Sequence, residues 1–204
     1  DVMTYKDLFT NSAFVGSFPS YENLPEDEGQ EIAFCGRSNS GKSSVINAIT
    51  KNKKLAKTSK TPGRTQAINI FSLKDNPSKK LVDLPGYGYA KVSKAMRNEW
   101  ATSIDEYLNL RTSINGLIII MDIRHPFKDS DELLINWCEQ TKVPVIALLN
   151  KADKLSKNKI VSEVSKAKKN LNNLTTKWEV IAFSSKDFFG LDVLTQSLGE
   201  MLGE

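Results

Sequence analysis

The sequence predicts an α/β fold of three layers, in which helices cover both faces of a mostly parallel, six-stranded sheet. Two observations predict it. Apolar runs typical of buried strands alternate along the chain with stretches whose apolar residues recur every three to four positions, as in helices. A glycine-rich segment lies between the first apolar run and the first helical pattern. Sheets built from this alternation bind their ligands at the carboxyl ends of the strands.

Six strands follow from the apolar runs. Alternating apolar and polar residues from 67 to 73 are typical of a half-buried strand, whereas the unbroken apolar run from 117 to 121 is typical of a central strand covered on both faces. A turn near Pro77 joins the second strand to the third as a short hairpin. The predicted strands span residues 31–36, 67–73, 80–83, 117–121, 143–149 and 178–183.

Five helices follow from apolar residues at helical spacing. The second, over 91–110, shows this most clearly, because Met96, Trp100, Ile104 and Leu108 recur at every fourth position. Asp129 with Glu132 predicts a capping box that opens the third helix. The remaining helices are the first, ending near Thr50, the fourth, with apolar residues from Ile160 to Leu174, and the last, from Leu191 to Leu198.

The composition is that of one globular domain. The chain has 204 residues, of which 40% are hydrophobic and 25% charged. A net charge of +4 supports only a weak expectation of anionic partners. The sequence has no apolar run long enough to cross a bilayer, and it does not start with a basic region followed by a hydrophobic stretch. We therefore expect a cytoplasmic protein without membrane association. Cys35 and Cys138 lie in apolar patterns, which favours two buried thiols over a disulfide or metal pair.

Residues 1–28 differ from the rest of the chain. They carry Phe9, Phe14, Phe18 and Tyr21 at no clear period, and a polar stretch rich in carboxylates follows. We predict a partly ordered leader over 1–28 that packs its aromatic side chains on a single domain over 29–204.

The segment Gly36-Arg37-Ser38-Asn39-Ser40-Gly41-Lys42-Ser43 matches the spacing G-x-x-x-x-G-K-S. Its two glycines allow the backbone to turn consecutive amides towards an anion, and the following helix N-terminus adds positive potential. Lys42 would place a charge between the β- and γ-phosphates, and Ser43 would offer a hydroxyl to magnesium. The alternative is a glycine-rich turn with a stray lysine, but the strand and helix on either side favour a nucleoside triphosphate site.

Asn150-Lys151-Ala152-Asp153 follows a buried strand and predicts that the base is guanine. A carboxylate at Asp153 accepts hydrogen bonds from N1–H and the 2-amino group of guanine, whereas adenine offers neither donor. Asn150 would brace the base and the phosphate loop, and the Lys151 stem would cover the ring. Alone, this motif is also compatible with a polar turn. In Ser184-Ser185-Lys186, after the last strand, a backbone amide would reach the guanine O6.

Asp83-Leu84-Pro85-Gly86 supplies the remaining groups that triphosphate chemistry requires. A carboxylate at Asp83 would hold magnesium through water, and the Gly86 amide would meet the γ-phosphate and lose it on hydrolysis. Thr65 is the candidate for a second hydroxyl on magnesium, with Thr61 as the alternative.

Taken together, these segments resemble the TRAFAC class of GTPases and, more closely, the EngB family of bacterial GTP-binding proteins implicated in assembly of the large ribosomal subunit. The resemblance covers residues 29–204, and assignment to the family depends on Tyr-Gly-Tyr-Ala at 87–90 and Arg-His-Pro at 124–126. It implies a Ras-like P-loop fold, GTP or GDP with Mg²⁺ as ligands, and a monomer whose partner is the large ribosomal subunit or its precursor, including rRNA and ribosomal proteins.

The resemblance also assigns roles to individual residues. Those assigned to catalysis are Lys42, Thr65, Gly86 and Asn39, and those assigned to the metal are Ser43, Thr65 and Asp83. The nucleotide-binding set comprises Gly36, Arg37, Ser38, Asn39, Ser40, Gly41, Lys42, Ser43, Ser44, Gly63, Arg64, Thr65, Asp83, Gly86, Asn150, Lys151, Asp153, Ser184, Ser185 and Lys186.

Tyr87 stands where small signalling GTPases place the glutamine that orients the attacking water. We therefore expect slow hydrolysis, no faster than about 10⁻⁴ to 10⁻³ per second without an activator. GTPases that resemble this chain use an asparagine at the position of Asn39 to coordinate K⁺, which suggests potassium-assisted or ribosome-assisted hydrolysis. The alternative is that Asn39 only braces the loop.

Two groups of lysines are candidates for contact with rRNA phosphates. Five of the ten residues from 51 to 60 are lysine, and the fourth helix carries a second group at 157, 159, 166, 168 and 169. Such runs also occur as solvated surfaces without a partner. Other functions are a nucleotide-stabilised rRNA-binding scaffold with incidental hydrolysis, or a GTPase that acts on tRNA modification, another RNA or membranes. His125, the single histidine, receives no chemical role.

Overall fold

A seven-stranded sheet lies at the centre of the fold. The computed structural model describes residues 5–57, 67–87 and 94–204, and in the second helix it describes side chains from residue 102 onward. The strand order is β1-β3-β4-β2-β5-β6-β7. The strands are β1 (Ala13–Phe18), β2 (Gln30–Gly36), β3 (Ile68–Ser72), β4 (Lys79–Asp83), β5 (Ile114–Asp122), β6 (Val145–Asn150) and β7 (Trp178–Ala182). The helices are α1 (Lys42–Thr50), α2 (Lys94–Leu110), α3 (Asp129–Thr141), α4 (Lys157–Leu171) and α5 (Leu191–Met201).

Strands β4, β2, β5, β6 and β7 run parallel, and β3 is antiparallel to both β4 and β1. The predicted α/β fold with a mostly parallel sheet is therefore confirmed. The prediction of six strands is wrong, because β1 adds a seventh at the edge. Its sequence lacks a clean alternation since the pairing with β3 shifts register between Phe14 and Gly16, which interrupts the period of two.

The sheet is covered on both faces by helices. Along β5, Ile118 and Ile120 pack with α1 and α5, whereas Leu117 and Ile119 lie in the cluster on the opposite face. All four side chains are fully buried, which explains the unbroken apolar run of this central strand. Cys35 and Cys138 are free and buried, as predicted. Among the described residues, no helix has both the length and the apolar character needed to cross a bilayer.

The parallel strands bring their carboxyl ends to one edge of the sheet, where polar residues follow the apolar runs. Gly36, Asp83, Asp122 and Asn150 are the last residues of β2, β4, β5 and β6. The loops that continue from these four residues therefore meet at this edge.

The start of α3 differs from the sequence prediction. Lys128 is the N-cap, and the carboxylate that returns to its backbone amide belongs to Asp131, whose Oδ2 accepts from Lys128 N at 3.0 Å. The predicted capping box of Asp129 and Glu132 is therefore wrong by one position at each end. Three carboxylates lie in the first turn, so local sequence does not identify the one that caps.

Candidate functional site

The loop between β2 and α1 has the backbone geometry of a phosphate-binding loop. Gly41 has φ of +89°, in the left-handed region, and a side chain there would collide with the amide group of Asn150. A Cβ on Gly36 would collide with the Ser40 hydroxyl. Both glycines of the motif are thus required by close approach, and the loop ends directly at the N-terminus of α1, where unpaired amides attract anions.

Lys42 and Asp83 form a buried ion pair at the mouth of this loop. Nζ of Lys42, the first residue of α1, donates to Oδ1 of Asp83, the last residue of β4. The two side chains are 13% and 6% exposed. Burial lowers the pKa of the Lys42 ammonium below its ordinary value. The pair joins the lysine predicted to bind phosphate to the carboxylate predicted to hold magnesium.

Ser43 follows Lys42 in the first turn of α1 and carries a hydroxyl. Its Oγ donates to the carbonyl oxygen of Lys57 at 3.4 Å. Ser43 and Asp83 present hard oxygen donors of the kind that magnesium prefers, so the described part of the predicted metal set fits this ion. The other predicted residues of the switch segment, namely Thr61, Gly63, Arg64 and Thr65, lie outside the described residues.

The residues predicted to recognise guanine form one connected group next to the phosphate loop. Asn150 Nδ2 donates to the Ser40 carbonyl at 2.8 Å, and Lys151 Nζ donates to the Asn39 carbonyl at 2.7 Å. Asp153 Oδ1 accepts from the Ser184 hydroxyl at 3.0 Å, and Ser184 Oγ in turn accepts from the amide of Lys186 at 3.2 Å. The segments after β6 and β7 are thereby held together beside the loop.

Unpaired polar atoms are concentrated at this location. In the part of the chain that the structure describes, the buried atoms without a hydrogen-bond partner include Ser40 Oγ, Asn150 Oδ1 and Ser185 Oγ, and all three lie in the predicted nucleotide set. A buried polar atom that lacks a partner costs about 1–3 kcal/mol. Such a concentration indicates a place where a polar ligand binds, and the predicted guanine nucleotide fits it.

Gly86 and Tyr87 lie directly on the phosphate loop. Ser38 N donates to the Tyr87 carbonyl at 2.8 Å, and Tyr87 N donates to the Gly36 carbonyl at 3.3 Å. Gly86 is buried, and a Cβ built on it would lie 3.4 Å from the Ser38 Cα. The residue predicted to meet the γ-phosphate is therefore already in contact with the loop.

Sequence reasoning missed two contacts between this region and α3. The Tyr87 hydroxyl donates to Asp131 Oδ1 at 2.6 Å, and Arg37 Nη1 donates to Ser130 Oγ at 3.3 Å. Burial raises the pKa of the Tyr87 phenol far above its ordinary value. Burial also raises the pKa of Asp131, although the hydrogen bond from Tyr87 opposes that shift. Residues 87 and 131 are far apart in sequence, and no local pattern could have indicated the pair.

Arg124, in the turn after β5, is bound by Asp122 of the same turn. Nε and Nη2 of Arg124 donate to the two oxygens of Asp122 at 3.0 and 2.8 Å, which lowers the pKa of Asp122 to about 2. Lys151 Nζ lies 3.6 Å from the same carboxylate. His125 is exposed and makes a backbone turn contact with the Asp122 carbonyl. Arg124 thus has a partner within its own turn.

Comparison with known proteins agrees with this geometry. The family described as 50S ribosome-binding GTPase matches residues 31–151, which is more than half of the chain. GTP-binding protein EngB of Aeromonas hydrophila is 51% identical over 190 residues, covering 93% of this chain and 87% of the relative. GTP-binding protein EngB of Vibrio cholerae is 47% identical over 198 residues, covering 97% of this chain and 89% of the relative.

Solved structures share the fold. A crystal structure of a GTP-binding protein EngB matches with a TM-score of 0.68 and 20% identity, covering 85% of this chain and 98% of that one. The G domain of the T. maritima iron transporter FeoB matches with a TM-score of 0.53 and 25% identity, over 84% and 98% of the two chains. The fold, the guanine-site motifs and the identity to curated relatives lead to one conclusion: the chain belongs to the EngB family of GTP-binding proteins, a family of GTPases.

Proposed function

We propose that this protein is a slow GTP-hydrolysing switch in assembly of the large ribosomal subunit. In this proposal it binds the subunit or its precursor in one nucleotide state and dissociates in the other, acting as a monomer in the cytoplasm. The observation that carries the proposal is the connected group of Ser40, Asn150, Asp153 and Ser184 beside the phosphate loop, which suits a guanine nucleotide. The match to the family described as 50S ribosome-binding GTPase supports the ribosomal partner.

The nucleotide would be held from three sides. Amides of the loop from Gly36 to Ser44 would surround the phosphates, with Lys42 between the β- and γ-phosphates. Asp153 would pair with the guanine edge, and the amides near Ser185 would reach O6. Ser43 and Asp83, together with Thr65, would hold magnesium, which neutralises charge on the β- and γ-phosphates when bound.

Binding requires Lys42 and Asp83 to exchange partners. In the structure these two side chains bind each other, whereas in the proposed complex the ammonium turns to phosphate oxygens and the carboxylate to the metal side. The Gly86 amide would then contact the γ-phosphate and lose this contact on hydrolysis. This difference between GTP and GDP is the proposed basis of the switch.

Slow hydrolysis follows from the position of Tyr87. Tyrosine has no side-chain amide, so Tyr87 does not orient water in the way that glutamine does in small signalling GTPases. Its hydroxyl, moreover, is bound to Asp131. We propose that K⁺ at Asn39, or a group from the ribosome, provides the missing stabilisation of charge. Asn39 acting only as a brace remains the alternative, and equal turnover in Na⁺ and K⁺ would support it.

Exposed lysines form the proposed contact with rRNA. Lys51 and Lys53 line a groove of about 850 Å³ between α1 and α5, together with Lys6 and the exposed ring of Phe188. Ser44, Ser185 and Lys186 of the proposed nucleotide set line the same groove. The lysines of α4 at 157, 159, 166, 168 and 169 are exposed as well. Lysine ammonium groups and an exposed aromatic ring suit phosphates and unpaired bases of RNA, respectively.

The bond between Tyr87 and Asp131 also supports a second function, that of an rRNA-binding scaffold. If Tyr87 keeps its contact with Asp131 throughout, hydrolysis could be incidental, and the protein would act as a nucleotide-stabilised scaffold that binds rRNA. The scaffold predicts association with ribosomal particles that does not depend on the nucleotide.

Sedimentation with ribosomal subunits tests the proposal. Purified protein is combined with each subunit in GDP, GTP or a non-hydrolysable GTP analogue, at about 50 and about 200 mM salt. We expect association with the large subunit in the GTP-like state, weakened at the higher salt concentration. Association independent of nucleotide would favour the scaffold, and absence of association would overturn the ribosomal partner.

Lysine variants make this test specific. Lys53→Ala with Lys54→Ala, two exposed residues of the first lysine group, should weaken association and reduce the salt slope by about one per lost phosphate contact. Lys142→Ala is the matched control, because Lys142 is an exposed lysine outside both groups and pairs with Glu139. Equal effects of the two changes would contradict a contact through the first group.

A further inference from the structure

The Tyr87 side chain connects the segment after Gly86 to the start of α3. Its hydroxyl donates to Oδ1 of Asp131 at 2.6 Å, while Oδ2 of the same carboxylate accepts from the Lys128 amide at 3.0 Å. Asp131 is 1% exposed. Both carboxylate oxygens are therefore engaged, and the acceptor for the tyrosine is fixed to a helix that packs on the sheet.

The Tyr87 backbone is held as firmly as its side chain. Its carbonyl accepts from Ser38 N at 2.8 Å and its amide donates to the Gly36 carbonyl at 3.3 Å, forming an isolated bridge with the phosphate loop. Gly86, one residue earlier, lies against Ser38. Movement of Gly86 therefore requires adjustment at Tyr87 or rupture of these contacts.

The same short segment begins at Asp83, which pairs with Lys42. When GTP binds, Lys42 would turn to phosphate oxygens, Asp83 would turn to the metal side, and the Gly86 amide would turn towards the γ-phosphate. Residues 83–87 thus have one end that must rearrange for GTP and another end that is anchored by Tyr87. GDP lacks the γ-phosphate and makes no such demand on Gly86.

We propose that Asp131 is a positioning residue that acts through Tyr87 and favours the GDP-bound over the GTP-bound arrangement of residues 83–87. The hydrogen bond stabilises the arrangement of residues 83–87 in the structure, in which Gly86 lies against Ser38 and Asp83 is bound to Lys42. Part of its free energy therefore opposes the rearrangement that a γ-phosphate and its metal ion would require. This inference rests on the proposed switch, and it locates one of the interactions that set the preference between the two nucleotides.

A double-mutant cycle tests the pair. Tyr87→Phe keeps the ring and removes the hydroxyl, and Asp131→Ala removes the acceptor; asparagine is unsuitable because its amide nitrogen could donate to the phenol oxygen. The measured quantity is the affinity for a fluorescent non-hydrolysable GTP analogue divided by that for fluorescent GDP. Each single change should raise this ratio about tenfold, as expected for loss of a hydrogen bond to a charged group. The double variant should raise it no further than either single variant.

Tyr107→Phe is the matched control. The Tyr107 hydroxyl donates to Glu31 Oε1 at 2.8 Å, so this change also removes a bond between a phenol and a buried carboxylate. Glu31 lies near the opposite, amino end of β2. The control should lower the melting temperature and leave the affinity ratio unchanged, which separates a positioning effect from a loss of stability.

Three outcomes decide the inference. An unchanged ratio in both folded single variants would overturn it, as would effects that multiply in the double variant. A shift in the ratio for Tyr107→Phe of the same size would also overturn it, because the effect would then be general. Sedimentation of the wild-type protein tests the proposed function separately. If the wild-type protein associates with ribosomes in a nucleotide-dependent way while the affinity ratio of the variants is unchanged, only the inference about Asp131 is contradicted.

Discussion

Ser184 donates from its hydroxyl to Oδ1 of Asp153 at 3.0 Å, and this bond fixes the carboxylate assigned to guanine recognition. Ser184 is fully buried, and its Oγ also accepts hydrogen bonds from the backbone amides of Lys186 and Asp187 at 3.2 and 3.4 Å. One hydroxyl therefore connects the two segments that are proposed to read the base. The orientation of Asp153 depends on a residue that follows a different strand.

Ser184→Ala should weaken guanine binding through misplacement of Asp153. We expect the affinity for GDP to fall about fivefold to tenfold, consistent with loss of one hydrogen bond to a charged group. Isothermal titration calorimetry provides the measurement. Ser197→Ala is the matched control, because its hydroxyl donates to Glu179 at 2.6 Å in another part of the fold. Equal affinities for Ser184→Ala and wild type would contradict the assigned role of the serine.

Asp83→Asn should separate metal-dependent chemistry from binding of the nucleotide. The amide cannot supply the negative charge that favours magnesium, so single-turnover GTP hydrolysis should fall about a hundredfold. The affinity for GDP measured in EDTA serves as an internal control and should change much less. Hydrolysis within about twofold of wild type at saturating magnesium would exclude Asp83 from the metal site.

Asp27 should make folding stability depend on acid pH. Burial raises the pKa of this carboxyl, but hydrogen bonds from Ser113 and Thr112 outweigh it and lower the pKa from 3.8 to about 2. The folded pKa is thus below the unfolded value. The resulting stabilisation is complete above about pH 4 and is lost as the pH falls from about 4 to 2.

Asp27→Asn measures that contribution. At pH 6 the variant should melt about 2–4 °C below wild type, and the difference should diminish between pH 4 and pH 2. Differential scanning calorimetry across this range is the measurement. A melting difference that stays constant down to pH 2.5 would show that the charge of Asp27 does not contribute.

Local patterns explain why most of the fold could be predicted from the sequence. The run from Leu117 to Met121 indicated a central strand, and the structure extends it to Ile114–Asp122 with the same burial on both faces. Strand β1 could not be recognised, because its bulge interrupts the alternation and leaves Phe14 and Val15 exposed. Pairing with β3 stabilises β1, and the paired residues lie 50 or more positions apart in the sequence.

The candidate site shows the same division. The glycine spacing around Lys42 and the Asn150-Lys151-Ala152-Asp153 segment are local signals, and both were visible in the sequence. Contacts between distant segments were not, and the bond from Tyr87 to Asp131 is the clearest example. Such pairs depend on the packing of whole elements, which no short motif encodes.

Association of Asp153→Asn with ribosomal subunits tests the central claim most directly. Xanthine has a carbonyl oxygen where guanine has the 2-amino group, so an amide at position 153 can donate to it and should exchange the preferred base. We predict that the variant sediments with the large subunit in the presence of a non-hydrolysable xanthosine triphosphate analogue and does not do so with the guanosine analogue. The wild-type protein should show the reverse preference. Association of the folded variant that still follows the guanosine analogue, or that ignores the nucleotide, would contradict a guanine-controlled ribosomal switch.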